Sequence, residues 1–202
     1  MAKIEIGPGD KLLTGKWLDD IAVRERIPWK DEHCERTAKL CVQWGSVLGL
    51  DTRRIEVLRM AATLHDYGAA TIPHIINKKG KLTAVEMRQV KAHPLIGANH
   101  VKSLFLPNGE EIAKVIYQHH EHWDGKGYPQ GLKRDSISYL ARILAIVDSV
   151  DAVRNDRPYR IGGTVADVAS ALVRNKGKMF DPDLAESFLR NISILLEIYR
   201  KE

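Results

Sequence analysis

The sequence has few cysteines, no long apolar run and no block of like charge, and each absence excludes a class of protein. The 202 residues contain no run of about 18 apolar residues, the length that a membrane-spanning helix needs. The N-terminal MAKIEIGPGDK lacks the apolar core of a secretory signal, so we expect a cytoplasmic protein with no membrane contact. Lysine and arginine form no block of the kind that binds nucleic acid, so we expect no duplex DNA partner.

The chain contains 2 cysteines, Cys34 and Cys41. On one helix these positions are about 10.5 Å apart along the axis, whereas a disulfide needs Cα atoms within about 7 Å. We therefore expect both thiols to be reduced, in agreement with a cytoplasmic location. No CxxC pair is present, so a structural zinc site is not expected either.

The composition that remains is that of a folded domain. Hydrophobic residues make up 44% and charged residues 28%, which excludes a chain that is disordered throughout. The net charge of +5 fits either an ordinary, mildly basic surface or an anionic ligand. Helical periodicity dominates and strand alternation is hard to find. We therefore predict a single all-α domain, a compact helical bundle over residues 17–202 with residues 1–16 as an N-terminal extension.

Cap and stop residues set the expected helix boundaries. Gly49 ends a helix over residues 31–48, and Asp51 caps the next helix. Thr83 and Glu86 form a capping box that opens a further helix. The remaining helices are expected over residues 94–105, 110–121, 138–154, 164–175 and 182–200. The segment WDGKGYPQG is rich in glycine and proline and predicts a loop.

Two pairs of adjacent polar residues end apolar helices. His65-Asp66 follows LRMAATL, and His119-His120 follows IAKVIYQ. Each pair taken alone is more often a buried, hydrogen-bonded pair than a metal site. Adjacent histidines point about 100° apart on a helix, so both reach one ion only where the helix ends or is distorted.

Asp148 lies on the apolar stripe of the segment ARILAIVDSVDAV. An unpaired buried carboxylate costs several kcal/mol, so it needs a cationic partner. That partner is either an arginine such as Arg142 or a metal ion. Asp151, one turn later, is then a supporting or capping residue.

Seven imidazole and carboxylate groups at helix ends or on apolar faces can point to one centre of a helical bundle. They are His33, His65, Asp66, His93, His119, His120 and Asp148. Mixed ligation of this kind suits Fe, Mn or Zn rather than Ca or Mg, and one ion takes only about four to six ligands. The set suits two ions that share Asp66, an arrangement used for displacement at phosphorus.

The order H…HD…H…HH…D resembles the HD superfamily of metal-dependent phosphohydrolases. The tripeptide Gly127-Tyr128-Pro129 is the one that names its HD-GYP subfamily. Five further segments also match, namely INKKGKLT, KAHPLIGA, ARILAIVDSVDAV, DRPYR and MFDPDL. The similarity covers residues 26–190, which is most of the chain.

This resemblance implies an all-α phosphodiesterase with a binuclear or trinuclear iron or manganese centre. The implied substrate is cyclic di-GMP, which such enzymes hydrolyse to pGpG and in some members to GMP. The seven residues match the family's metal ligands, with His65 and Asp66 at the catalytic centre. Arg157 and Arg160 match residues that contact substrate phosphate. The Gly127-Tyr128-Pro129 loop borders the substrate site and is linked to contacts with a signalling-protein partner.

Two positions depart from the family pattern. Trinuclear members carry a glutamate four residues before the first histidine, and Trp29 stands there, so we expect two divalent ions. The usual HD-x-G-K has become HDYGA, so Ala69 replaces a lysine placed near the reacting phosphate. By analogy with oxyanion donors, losing such a group costs about 10²–10³ in rate. A substitute from Lys78, Lys79 or Lys81 is one alternative.

Three functions therefore stay open. The first is hydrolysis of cyclic di-GMP at a binuclear centre. The second is a weakly active or non-catalytic protein that binds a cyclic dinucleotide or a partner. The third is a phosphohydrolase of another nucleotide substrate.

Aromatic and histidine residues outside the seven have two interpretations. Trp123 and Tyr128 either stack on a guanine base or pack within their loop. His74, His100 and His122 match no ligand position, and we expect them to be surface or packing residues.

Overall fold

Helices carry the regular structure of the described residues, which are 28–155 and 162–199 of a computed structural model of the chain. Within these ranges no strand forms, and one isolated bridge joins Lys176 to Phe180. The predicted all-α class is therefore confirmed. None of the described helices combines the length and the apolar character that passage through a lipid bilayer requires.

The α-helices of the described part are numbered here in chain order. They are α1 (Pro28–Val47), α2 (Thr52–Leu64), α3 (Pro73–Ile76), α4 (Ala84–Lys91), α5 (His93–Ser103), α6 (Gly109–Gln118), α7 (Tyr139–Arg154), α8 (Val165–Asn175), α9 (Pro182–Arg190) and α10 (Ile192–Leu195). Short 3-10 helices cover Tyr67–Thr71, Arg134–Ser136 and Leu196–Tyr199.

Several boundaries follow the predicted caps. The side chain of Asp51 accepts a hydrogen bond of 2.8 Å from the backbone N–H of Arg54. Asp51 is the N-cap, and α2 begins directly after it at Thr52. Thr83 and Glu86 form the expected capping box at the start of α4. Gly49 has a φ of +71°, a left-handed conformation that ends α1 and that a side chain would strain.

Two helices end earlier than predicted. The helix expected over 182–200 ends at Arg190, because Asn191 leaves the helical conformation and its side-chain amide donates to the carbonyl of Ser187. The helix expected over 110–121 ends at Gln118. The one-turn helix α3 was missed, since its four residues are too few to show a period.

The hydrophobic core brings α1, α2 and α7 together and extends to α9. Trp44 and Phe188 are fully buried and meet edge to face, with ring centres 4.9 Å apart. Cys41 lies in the same core as a free thiol. α6 packs against α2 and α5, which places the carboxyl ends of α2 and α6 next to the start of α5.

Candidate metal centre

Two groups of possible metal ligands lie where these helix ends meet. The first group consists of His33, His65 and Asp66, and the second group consists of His93, His119 and His120. Within each group the ligand atoms all lie within 4.8 Å of one another. Asp148 joins the first group, with Oδ1 3.2 Å from His33 Nε2 and 3.9 Å from His65 Nε2. The structure thus brings together all seven residues singled out in the sequence.

Asp66 lies between the two groups. Its Oδ2 is 3.6 Å from His65 Nε2 and 3.9 Å from His33 Nε2, both in the first group. Its Oδ1 is 3.6 Å from His93 Nε2, in the second group. One oxygen therefore faces each group, which is the arrangement that a carboxylate shared by two ions needs.

Three imidazoles each make the same kind of local hydrogen bond to the backbone. The Nδ1 atoms of His65, His93 and His119 each lie close to the carbonyl oxygen three residues earlier, at 2.8, 2.7 and 2.6 Å. A carbonyl only accepts, so Nδ1 carries the proton, and in the neutral ring Nε2 keeps its lone pair. Carbonyls at a helix end have no helical partner, so this contact caps the helix and orients the ring. Histidine ligands of metals show the same use of their second nitrogen.

The Nε2 atoms of His93 and His119 lie 3.4 Å apart. With both rings neutral and their protons on Nδ1, neither Nε2 can donate to the other, and two lone pairs face one another. Burial lowers the pKa of His119 to about 4, so this ring is neutral at pH 7. A cation between the two lone pairs would remove their repulsion, so the second group fits a divalent ion of the type that imidazole binds.

His33 is held from its other side by Asp151. Its Nδ1 lies 2.7 Å from Oδ2 of Asp151, which is 1% exposed. Burial favours the neutral ring, but hydrogen bonds to Asp148 and Asp151 raise the pKa of His33 to about 9. Asp151 also accepts from Arg36 at 2.8 and 3.2 Å and from the hydroxyl of Tyr199 at 2.9 Å. The supporting role expected for Asp151 is what the geometry shows.

Asp148 has His33 as its partner and not an arginine. Burial opposes its ionisation, but the hydrogen bond from His33 and the charge of that ring hold the pKa of Asp148 well below its usual range. The alternative partner, Arg142, binds Asp135 and Asp181 at 2.9 and 2.8 Å. That alternative was wrong because two residues six positions apart lie on different faces of one helix.

The Gly127-Tyr128-Pro129 loop borders the second group. The ring of Tyr128 stacks on His120 with centres 4.8 Å apart, and its backbone N–H donates to the carbonyl of His120 at 3.1 Å. A Cβ atom on Gly127 would lie 2.2 Å from the backbone nitrogen of His122, so only glycine fits this approach. Pro129 is exposed.

Glu121 holds this loop and was missed in the sequence. It is 2% exposed, and its carboxylate accepts the backbone N–H groups of Gln130 and Leu132 at 2.6 and 2.9 Å. Its position directly after the two histidines was the available signal. Two further residues that were missed, Arg36 and Tyr199, reach the centre through Asp151. Arg36 lies one turn after His33, but Tyr199 is remote in the chain and left no local signal.

Some predicted residues lie outside the described part or bring no charge to the centre. Arg157 and Arg160 are outside the described residues, as is the side chain of Trp29. Ala69 is 1% exposed and carries no charge. Lys78 is paired with both carboxylate oxygens of Glu86, each at 2.8 Å.

The remaining aromatic and histidine residues lie outside the two groups of possible ligands. His100 stacks on Tyr67 with ring centres 3.8 Å apart, and His74 is exposed. The guanidinium of Arg142 lies 5.4 Å from the ring centre of Trp123. Within the described part of the chain, neither these residues nor His122 belong to either group of possible metal ligands.

A family model described as HD domain matches residues 18–184. The chain belongs to the HD domain family. This HD domain is 38% identical over 168 residues to the cyclic di-GMP phosphodiesterase response regulator RpfG of Xanthomonas campestris pv. campestris (strain 8004), covering 81% of this chain and 44% of that protein. It is 34% identical over 174 residues to 3'3'-cGAMP-specific phosphodiesterase 2 of Vibrio cholerae serotype O1, and the match covers 84% of this chain and 33% of that protein.

The resemblance predicted from the motifs is therefore confirmed, and the HD domain spans less than half the length of these relatives. A crystal structure of a cyclic GMP-AMP specific phosphodiesterase of V. cholerae, V-cGAP3, superposes with a TM-score of 0.66. The two chains are 19% identical, and the match covers 84% of this chain and 46% of that one. At this identity the match shows that the fold is shared.

Proposed function

We propose that this HD domain is a metal-dependent phosphodiesterase that hydrolyses cyclic di-GMP to pGpG, with GMP as the product of further cleavage. The observation that carries the proposal is the place of Asp66, with one oxygen toward each group of ligands. The names of the relatives, which include cyclic di-GMP phosphodiesterases, point to this substrate class. Another relative is named for 3'3'-cGAMP, so that dinucleotide is the alternative substrate.

In the proposed centre the residues hold two divalent ions, Fe or Mn. His33, His65 and Asp148 would bind one ion, His93, His119 and His120 the other, and Asp66 both. Two such ions, when bound, lower the pKa of water and neutralise charge on the phosphoryl oxygens. Two ions rather than three are proposed because Trp29 stands where trinuclear members carry a glutamate.

The residues of the chain orient this centre. The backbone carbonyls at the helix ends hold His65, His93 and His119 with Nε2 inward. The Gly127-Tyr128-Pro129 loop forms one border of the proposed substrate site, and its exposed Pro129 offers a surface for a signalling-protein partner. Arg157 and Arg160 are proposed to bind substrate phosphate, because an arginine fork is always charged and matches phosphate oxygens.

A second candidate function is binding without rapid turnover. Ala69 is buried and uncharged, and Lys78 is neutralised by Glu86, so neither supplies the charge that the family places near the reacting phosphate. A receptor of this kind would bind the dinucleotide and relay a signal. We propose a cytoplasmic location for either function, in agreement with the free thiol of buried Cys41.

Anaerobic turnover of protein loaded with Fe(II) or Mn(II) tests the proposal. Metal content is measured first, and cyclic di-GMP and 3'3'-cGAMP are then offered separately, with products resolved by chromatography. We expect pGpG from cyclic di-GMP, its loss in His65→Ala, and unchanged turnover in His74→Ala, which alters an exposed histidine outside both groups. Fully loaded protein that binds cyclic di-GMP without cleaving it would establish the receptor instead. Protein that neither binds nor cleaves a cyclic dinucleotide would refute both functions.

A further inference from the structure

Lys91 lies at the edge of the candidate metal centre. It is the last residue of α4 and precedes His93 by two positions, so its backbone is placed by the same helix junction that places a ligand. Its Nζ lies 5.3 Å from the ring centre of Tyr128, and that ring stacks on His120. A cation over an aromatic face is an attractive arrangement, so the ammonium group is held beside the second group of ligands.

The charge of Lys91 is not neutralised by a carboxylate within the described residues. The side chain is exposed, and no acidic group of that part lies within ion-pair distance of it. Two arginines described above differ in this respect. Arg36 pairs with Asp151, and Arg142 pairs with Asp181. The ammonium of Lys91 is therefore available to an anion from outside.

The proposed substrate requires a second cationic contact. A cyclic dinucleotide carries two phosphodiester groups, and the metal ions of the proposed centre would take the one that is cleaved. The other phosphate stays charged and needs a cation of its own. We infer that Lys91 binds the phosphate that is not cleaved. This inference rests on the proposed function, because it concerns the substrate of the same site.

A contact to a non-reacting phosphate acts on the bound substrate and on the transition state alike. Its loss therefore raises KM and leaves kcat unchanged. An exposed ion pair adds little to the free energy of binding, whereas a charge-assisted hydrogen bond adds about twice as much as a neutral one. Because the contact of Lys91 with phosphate combines both features, we expect its loss to raise KM about tenfold. The effect weakens with added salt because the charge is near solvent.

The test compares Lys91→Gln and Lys91→Arg with Lys114→Gln in metal-loaded protein. Lys114 is an exposed lysine on α6 outside both groups, so its variant controls for the change in net charge. Metal content, kcat and KM for cyclic di-GMP, and equilibrium binding of cyclic di-GMP are measured at low and high salt. We expect Lys91→Gln to weaken binding about tenfold at full metal content, and both other variants to match the unaltered protein.

The outcomes separate the two proposals. If the unaltered protein binds or cleaves cyclic di-GMP and Lys91→Gln does so equally well, the role of Lys91 is overturned and the proposed function stands. If Lys91→Gln loses metal or kcat while KM is unchanged, the lysine supports the centre and does not bind substrate, which also overturns the inference. If the unaltered protein neither binds nor cleaves a cyclic dinucleotide, the proposed function fails and this inference fails with it.

Discussion

Replacing Asp151 with asparagine should weaken one half of the metal centre and not the other. The carboxylate accepts two hydrogen bonds from Arg36 and one each from His33, Asn155 and Tyr199. Asp151→Asn keeps the shape of the side chain but removes the charge and turns one oxygen into a donor. Whichever way the amide is oriented, its N–H groups face donors of the protein.

The expected magnitude follows from these contacts. Removing one partner of a buried charge pair costs about 3–5 kcal/mol, but the guanidinium of Arg36 is partly exposed and also contacts Glu32. We therefore expect the free energy of unfolding of the metal-free protein to fall by about 2–3 kcal/mol. Loss of the group that orients a histidine ligand lowers metal affinity about 10–100-fold. Only the ion bound by His33 should show this loss, because Asp151 has no contact with the second group among the described residues.

The assay is calorimetric titration of Mn(II) into the metal-free protein, together with denaturant unfolding. Asp135→Asn is the matched control, since it removes a carboxylate that also pairs with an arginine but is 85% exposed. It should change the free energy of unfolding by less than about 0.5 kcal/mol. Equal weakening of both ions, or no weakening of either, would show that Asp151 does not act through His33.

Three further predictions concern the loop and the metal ions. Glu121→Gln leaves an amide donor facing a backbone N–H of the loop, so the free energy of unfolding should fall by about 1–3 kcal/mol in denaturant titration. Gly127→Ala forces the loop away from His122, so KM for cyclic di-GMP should rise and the melting temperature should fall, while Gly109→Ala, where the added Cβ has its nearest neighbour at 3.8 Å, should change neither. Removal of metal by a chelator should lower the melting temperature, because an ion at 100 times its Kd stabilises the native state by about 2.7 kcal/mol. An unchanged melting curve after complete removal would contradict the proposed centre.

The parts of the fold that were predicted well rest on local chemistry. The caps at Asp51 and Thr83 depend on one side chain and a backbone N–H a few residues later, so a short stretch of sequence contains all of the information. The break at Asn191 was missed for the opposite reason. Leu189, Ile192 and Leu195 continue a helical apolar spacing through it, and only the conformation of Asn191 ends the helix.

The candidate site also has residues that the sequence predicts and residues that it does not. Its seven possible ligands were predicted because residue type and order match a known family, and the structure brings these residues together. The hydrogen bond from Tyr199 to Asp151 joins residues 48 positions apart, and a periodic pattern contains no trace of such a pairing. Arg142 shows the converse error, since it is near Asp148 in the chain but pairs with Asp181 across the fold.

The carbonyl contacts of His65, His93 and His119 divide the construction of the centre into two stages. Each contact closes over only three residues, so its loop-closure entropy is small and it can form as soon as the end of one helix has formed. The convergence of the rings instead requires helices that are dozens of residues apart to dock, which carries a much larger entropic cost. Three possible ligands can thus reach the tautomer that binds metal early, and we expect the slow event in assembling the centre to be the meeting of helix ends that are already correctly oriented.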